Sequence, residues 1–456
     1  MSRMPGRSMR AAGLAVLAAL ALAGCEPREE ILPGERKAVR EAAGALPVPV
    51  EVGPDGTVRA DTAAAPEGRA FSAPPPQALA EWPQVRAGPE HHVAHAALDG
   101  GLGRVWSVDI GAGNDRRHRI ASAPVVAGGR VFAMDARSHV TALSTDGRVL
   151  WRADLTPPGE RNADVTGGGL AVGGGRLFAT TGFGTIVALD PETGSEIWVQ
   201  KTDAGVSAPP AYRDGIVYAV ARNDQGWAVR AGDGRVLWTI AGTPSPSGFL
   251  GGAAPAVTER LVLLPFASDV LVAALRRGGV QVWAAGVAGR RAGRVYAEFG
   301  DITGDPVVAD GVVYVGTQAG RTVALDLAGG GRLWTIEEGA YSPVWVAGAS
   351  VFLVSDQGEL LRVDRESGAV IWRAGLPYFK RENPRRRLAV HTNYGPVLAG
   401  GRLMVVSDDG LLRAFNPENG APLGTLGLGG GAAADPVVAG GTLYVLTGDG
   451  RLSAFR

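Results

Sequence analysis

The chain has 456 residues, 45 Lys and Arg against 45 Asp and Glu, 46% hydrophobic residues, 68 Gly and 30 Pro. With no excess of basic charge it lacks the electrostatic footprint of a nucleic-acid binder, and its single cysteine excludes an internal disulfide framework. A chain of this length and apolar content can bury a sizeable core without such staples.

Residues 1–24 read as a secretory signal. Arg3, Arg7 and Arg10 form a basic start, and Ala11 to Ala23 is an apolar run too short to span a bilayer comfortably. The run ends in Leu22-Ala23-Gly24-Cys25, which resembles a bacterial lipoprotein box in which Cys25 is lipidated and becomes the first mature residue. Losing residues 1–24 would leave 42 basic and 45 acidic side chains. Glu26 follows, and in lipoproteins of this kind it implies sorting to the outer rather than the inner membrane. Residues 25–80 are rich in Pro, Ala and Gly without a strand or helix period, so they are expected to form a lipidated flexible tether. Residues 31–40, ILPGERKAVR, are the part of it that could be more than spacer.

From about residue 100 the chain repeats. A short hairpin recurs as VVAGGRVF (125–132), AVGGGRLF (171–178), AYRDGIVY (211–218) and AVTERLVL (256–263). It continues as VVADGVVY (307–314), WVAGASVF (345–352), VLAGGRLM (397–404) and VVAGGTLY (437–444). A third apolar run and then a fourth carrying tryptophan follow: Trp151, Trp198, Trp238, Trp283, Trp334 and Trp372, with Gly424 in the seventh copy. Four short strands every 40-odd residues predict an all-β, eight-bladed propeller over residues 81–456. The eighth hairpin ends in RLSAFR without a fourth strand. Residues 102–111, LGRVWSVDIG, have the missing form, with Trp106 in the tryptophan slot, so they are expected to pair beside that last strand and close the ring. The seven tryptophans are read as packing between blades rather than as ligand contacts. On this reading residues before about 100 are dispensable for folding.

This pattern resembles the quinoprotein-type tryptophan-docking repeat. Lipobox, tether and eight blades together resemble the BamB lipoproteins of the β-barrel assembly (Bam) complex, with further likeness in ILPGERKAVR, WPQVRAGPEHHVAH and LPYFKRENPRRRLAVHTNYGPVLAGGRL. The resemblance implies a non-enzymatic scaffold in the outer membrane, facing the periplasm. It would dock on a POTRA domain of BamA, meet other Bam subunits and nascent outer-membrane proteins, and help β-barrels fold and insert. The rival class on the same repeat is a quinone- and calcium-dependent dehydrogenase. Such an enzyme needs carboxylate and amide ligands, a general-base Asp and often a vicinal disulfide. No vicinal cysteines exist here, and no insertion is large enough to build a lid over a funnel. No catalytic residue, cofactor or metal is therefore expected.

His91, His92 and His95 have metal-like spacing but no carboxylate cluster beyond Glu90, so a turn packed on the propeller is the better reading. GGGLAVGGGR and GLGLGGGAAADP lack the ending and the helix of a phosphate loop. In a four-stranded blade the turns joining strands one–two and three–four share one face, and these are terse. The blade-to-blade connections on the other face are long at 153–168, 240–252, 284–303 and 374–393, where binding usually sits. Phe249 and Leu250 lie in one of them without a strand period, as anchor candidates. Aligned with the BamB family, they fall at an apolar and an Arg position of the first BamA-binding loop. Asp301 matches an Asp of the second loop, with Thr303 in its second acidic place. KRENPRRR (380–387) is either a solvated charge run or a contact for a partner or for anionic headgroups.

Overall fold

The computed structural model describes residues 51–52, 58–59 and 70–456, apart from 162–164, 244–251, 288, 290, 292–300 and 382. Eight four-stranded antiparallel sheets follow one another along residues 104–455. Blade 1 comprises Val125–Ala127, Arg130–Met134, His139–Ser144 and Val149–Asp154. Blades 2 to 7 span 168–201, 211–241, 256–286, 307–336, 345–375 and 393–427. Blade 8 takes Val437–Ala439, Thr442–Thr447 and Arg451–Phe455 from the end of the chain. Its outer strand is Arg104–Asp109, antiparallel to the last strand with Trp106 opposite Ala454 and Ser107 opposite Ser453. The two ends also bond to each other, Gly103 N to Arg456 O at 2.6 Å and Arg456 N to Gly103 O at 3.0 Å.

Burial explains the composition of the strands. Second and third strands such as Arg176–Thr181 and Thr185–Leu189 are buried on both faces between neighbouring blades, so they read as nearly unbroken apolar runs. Fourth strands such as Glu196–Lys201 lie at the rim and alternate. In each of these rim strands a bulge shifts the register beside the tryptophan slot, as between Ala142 and Leu143 opposite Trp151. The extra residue just before the tryptophan is turned outward. This accounts for exposed Leu150, Ile197, Leu237, Val282, Leu333 and Leu423. Val105 is the equivalent residue in blade 8 and faces solvent unpaired with the last strand.

Each tryptophan docks on the next blade. The indole N–H groups of Trp106, Trp151, Trp198, Trp238, Trp283, Trp334 and Trp372 donate to the carbonyls of Thr145, Pro191, Ala231, Arg276, Leu327, Arg365 and Pro417, at 2.9–3.3 Å. These acceptors sit at the three–four turn of the following blade. The ring lies flat on that turn's glycine. At Gly147 (φ +89°) a Cβ would stand 2.8 Å from the Trp106 ring, so only glycine fits. Gly424 is opposite Ala414 in the seventh slot. Its target would be the three–four turn of blade 8, and that turn is replaced there by the two ends of the packed strands. The missing tryptophan thus coincides with a missing docking turn.

The segment before the first strand departs from the expectation of a disposable turn. Residues 77–98 form a strap that visits the first, innermost strand of every blade. Leu79 O accepts from Gly440 N in blade 8, and Trp82 exchanges both backbone bonds with Val126 in blade 1. Pro83 O accepts from Val172 N, and the Gln84 side-chain amide brackets the backbone of Tyr212. Pro89 O and Glu90 O accept from Val257 N and Val308 N. Ala94 O accepts from the indole of Trp345, and Ala96 bonds to Leu398 and Gly400 in blade 7. The strap then meets its own start, with Gln77 beside Ala96. The first strands would otherwise leave their inner edges unpaired, so the strap satisfies groups that a bare channel would leave to water. It needs left-handed backbone at Arg86, Ala87 and His91 to turn the corners.

Packing also begins before residue 81. Phe71 stacks edge-on against Phe352 with centroids 5.4 Å apart, and Pro74 O contacts His95. The described domain therefore reaches to about residue 70, inside the stretch expected to be tether. A two-residue ribbon, Glu51–Val52 with Val58–Arg59, is present further upstream.

Candidate functional site

The strap's backbone bonds to the blades lie toward the one–two turn end of the first strands, so the strap blocks the channel there. The channel stays open at the other end, as a blind funnel of about 650 Å³. Trp82, Gln84, Val85 and Arg86 of the strap are among its lining residues, with Asp305, Tyr341, Tyr394 and Asp435 from the blades. The funnel mouth is on the face of the long connections.

Arg86 is 3% exposed. Its guanidinium donates to Pro396 O at 2.7 Å and Pro343 O at 2.6 Å, and lies 4.7 Å above the Trp345 ring. It thus ties the strap to blades 6 and 7 with a charge, and Asp435 and Asp305 are the acids that favour that charge. Asp305 accepts a 2.6 Å bond from Ala254 N, joining the segments that lead into blades 4 and 5. Burial, with Asp435 nearby, pushes its carboxyl up to about 7. Tyr341 and Tyr394 are raised as well, chiefly by burial.

The three histidines are spent on backbone. His91, 2% exposed, contacts Pro306 O at 2.9 Å; His92 contacts Val346 O; His95 contacts Pro74 O and accepts from Gly401 N. Among the described residues no three His, Cys, Asp or Glu side chains converge as metal ligands. A calcium–quinone site does not fit this funnel. Asp305, one of the carboxyls lining it, is raised to about 7 by burial, and the Arg86 cation shares that lining, which disfavours a calcium ion there.

His91 and Asp305 titrate in opposite senses. Burial holds His91 down to about 4 from an ordinary 6.5, so the unfolded chain takes up its proton first as pH falls. Stability from His91 is complete above 6.5 and is lost as pH drops toward 4. Asp305 is the reverse: folded, it keeps its proton up to about 7, so its contribution is lost as pH rises from 3.8 to 7. Each gives a slope of about 1 kcal/mol per pH unit, with opposite sign. We expect Asp305→Asn to lose stability on going from pH 6.5 to 4.5, where the parent is flatter, and His91→Gln to gain it. Urea unfolding at the two pH values checks this; parallel profiles in all three proteins would refute it.

The docking residues read from the sequence fall unevenly. Phe249 and Leu250 lie outside the described residues. Asp301 is only 4% exposed, so its carboxylate is directed into the protein and cannot serve as a surface contact in this conformation. The neighbouring Ile302 bridges Thr317, and Thr303 accepts from Gln318 N. These residues shape the approach to blade 5. Cys25 also lies outside the described residues. Arg86 and Gln84 were not singled out from the sequence. The only signal for them was WPQVRAGPEHHVAH itself, dense in Pro, Gly and His without a period.

A family model described as outer membrane protein assembly factor BamB matches residues 136–374 and 381–456. The chain belongs to the BamB family. It is 25% identical over 319 residues to the BamB of Escherichia coli K12, covering 69% of this chain and 78% of that one. Against the BamB of Yersinia pestis it is 26% identical over 325 residues, covering 70% and 79%. Among solved structures, BamB from Moraxella catarrhalis matches with a TM-score of 0.65 at 20% identity, covering 78% of this chain and all of that one. A quinohemoprotein alcohol dehydrogenase from Comamonas testosteroni matches with a TM-score of 0.62 at 16% identity, covering 82% and 80%. At these identities the structural matches establish the propeller fold, which BamB shares with dehydrogenases.

Proposed function

We propose that this protein is a non-enzymatic scaffold subunit of the machinery that assembles outer-membrane β-barrels, held by a lipid on Cys25 and facing the periplasm. The observation that carries this reading is the BamB family match across nearly the whole repeat. Two features support it. The channel is stoppered by the chain's own strap. The long connections share the open face, suited to a partner. Among the described residues no helix is long and apolar enough to cross a membrane, so the lipid would serve as the anchor.

The partner would be BamA, through a POTRA domain, docking at the loops that lead into blades 4 and 5. Phe249 and Leu250 supply the apolar anchors in this reading. Asp301 holds the second loop in shape, and the Asp305–Ala254 bond spaces the two. The test is co-purification from solubilised envelopes. The parent chain is expected to bring BamA with it. Phe249→Glu combined with Leu250→Glu is expected to weaken that association by about 30- to 1000-fold, the equivalent of losing about 2–4 kcal/mol at an interface centre. A folded double variant that retains BamA fully refutes this docking site, and a parent chain that brings no assembly subunit refutes the function.

A further inference from the structure

The lining of the funnel is uneven in charge around the ring. Asp305 and Asp435 hold the same place in blades 5 and 8, two residues before the strand positions that pair with Tyr314 and Tyr444. Each opens the same pentapeptide, Asp-Pro-Val-Val-Ala, at 305–309 and 435–439. By the same register the other six blades place Ala123, Gly169, Pro209, Ala254, Pro343 and Gly395 there, none with a polar side chain. Between the two carboxyls, Tyr341 leads into blade 6 and Tyr394 opens blade 7. The arc across blades 5 to 8 therefore reads Asp305, Tyr341, Tyr394, Asp435, and all four residues are half-buried and line the funnel. The Tyr341 hydroxyl accepts from Asn393 N at 2.8 Å, which fixes its ring. Arg86 enters the middle of this arc, on the Pro343 and Pro396 carbonyls of blades 6 and 7.

Two carboxyls thus meet one guanidinium, and the arc is one positive charge short of balance. Arg86 spends its terminal nitrogens on carbonyls rather than on either acid. Asp305 Oδ1 accepts from Ala254 N, and Asp435 Oδ1 has no hydrogen-bond partner. Further out, Lys380 and His391 are matched by Asp408, and Asp356 by Arg291, while Arg119 is exposed at the mouth. The opposite wall, from blades 1 to 3, is apolar at Ala123, Leu170 and Pro209. We propose that the funnel binds a singly charged organic cation, an ammonium or guanidinium group on an aliphatic stem, held between Asp305 and Asp435. The carboxyls accept charge-assisted hydrogen bonds, the neighbouring tyrosine rings favour a cation, and the apolar wall takes the stem. A divalent ion would overshoot the balance, and an anion would meet two carboxyls. A cavity of about 650 Å³ is large enough to enclose a small ligand of this kind.

The protonation of Asp305 agrees with this charge count. Burial, with Asp435 adding to it and Arg86 opposing, pushes its carboxyl up to about 7. Below that pH a proton closes the charge gap, and a bound cation takes the proton's place. Binding therefore releases a proton and tightens as pH rises through 7. The recognising chemistry is the same for a basic side chain of a polypeptide and for a free alkylamine. The proposal goes beyond the scaffold reading and stands apart from it, because it concerns the chain without BamA.

Titration calorimetry on the purified full chain tests this with three probes: the capped peptide acetyl-Ala-Lys-Ala-amide, its neutral counterpart with norleucine for lysine, and butylamine. The lysine peptide or butylamine is expected to bind, and the norleucine peptide about tenfold or more weakly than the lysine peptide. Asp435→Asn should weaken binding of the cation about tenfold or more, as for close charge pairs. From pH 6 to 8 the parent's affinity should rise about tenfold, as the ionised fraction of a group titrating near 7 does, and Asp305→Asn should lose that rise. A lysine peptide that binds more tightly than butylamine identifies a polypeptide as the source, and the reverse identifies a free amine. Should Asp435→Asn fail to fold, the comparison of the lysine and norleucine peptides on the parent chain decides alone. Equal binding of those two peptides, no binding of either cation, or full affinity in a folded Asp435→Asn variant would overturn the proposal.

Discussion

Deleting residues 1–98 is expected to abolish soluble, cooperatively melting protein, whereas deleting residues 1–69 should leave the melt of the parent unchanged. The second truncation removes nothing that packs against a blade among the described residues. The first removes the entire strap. Trp82, Val93, Ala96 and Leu98 would leave the core, and the inner strands of all eight blades would lose their contacts with the strap. A buried tryptophan alone contributes about 3–5 kcal/mol, and the buried Arg86 anchor and its two carbonyl bonds add to that. The total is comparable with a typical net stability of about 5–15 kcal/mol. Soluble yield and thermal melts of the two truncations decide the matter. If the 1–98 deletion melts like the 1–69 deletion, the strap is only a passenger, and residues before 100 are as dispensable as the repeat pattern suggests.

The second large effect is at the blade junctions. Trp334→Ala should lose about 3–5 kcal/mol, because it vacates a buried ring and strips the Arg365 carbonyl of its indole partner. Gly424→Trp should not raise stability, although it restores the repeat. The turn that would receive the ring is absent, since blade 8 is made from both ends of the packed chain. Urea unfolding of the two variants checks both. A stabilised Gly424→Trp would show that the seventh slot has a receptor after all. An unaffected Trp334→Ala would show that docking on the turn contributes little.

Most of the blade architecture was legible because it is written in local terms. Apolar runs of five or six residues, Gly-containing turns and a tryptophan eight or so residues after the third run each follow from strand geometry and turn chemistry. The bulge beside each tryptophan was not legible. Alternation would place the residue before tryptophan on a packed face, yet Leu333 and Val105 are exposed, because the extra residue resets the register only once the third strand is beside it. The strap escaped for a related reason. Its bonds run from one residue to one blade at a time, through backbone groups that every residue carries, so Pro83, Pro89 and Glu90 leave no side-chain pattern. Asp301 was read as a docking residue because it lies in a long connection; it is buried, next to Ile302, which pairs with Thr317 outside the regular strands.

What the sequence by itself determined is the unit and its number: eight hairpins, seven tryptophans and one glycine in the seventh slot. Each is a local consequence of how a short apolar strand turns and pairs. The tertiary structure alone decided that the strap stoppers one end of the channel, that Asp305 is buried enough to hold its proton to about 7, and that Asp305, Asp435 and Arg86 line one funnel. Those outcomes depend on which groups meet across hundreds of residues, on desolvation at the meeting point and on edges left unpaired by the blades. Periodicity along a chain carries none of that information, because distance in space is set only when the sheets have stacked.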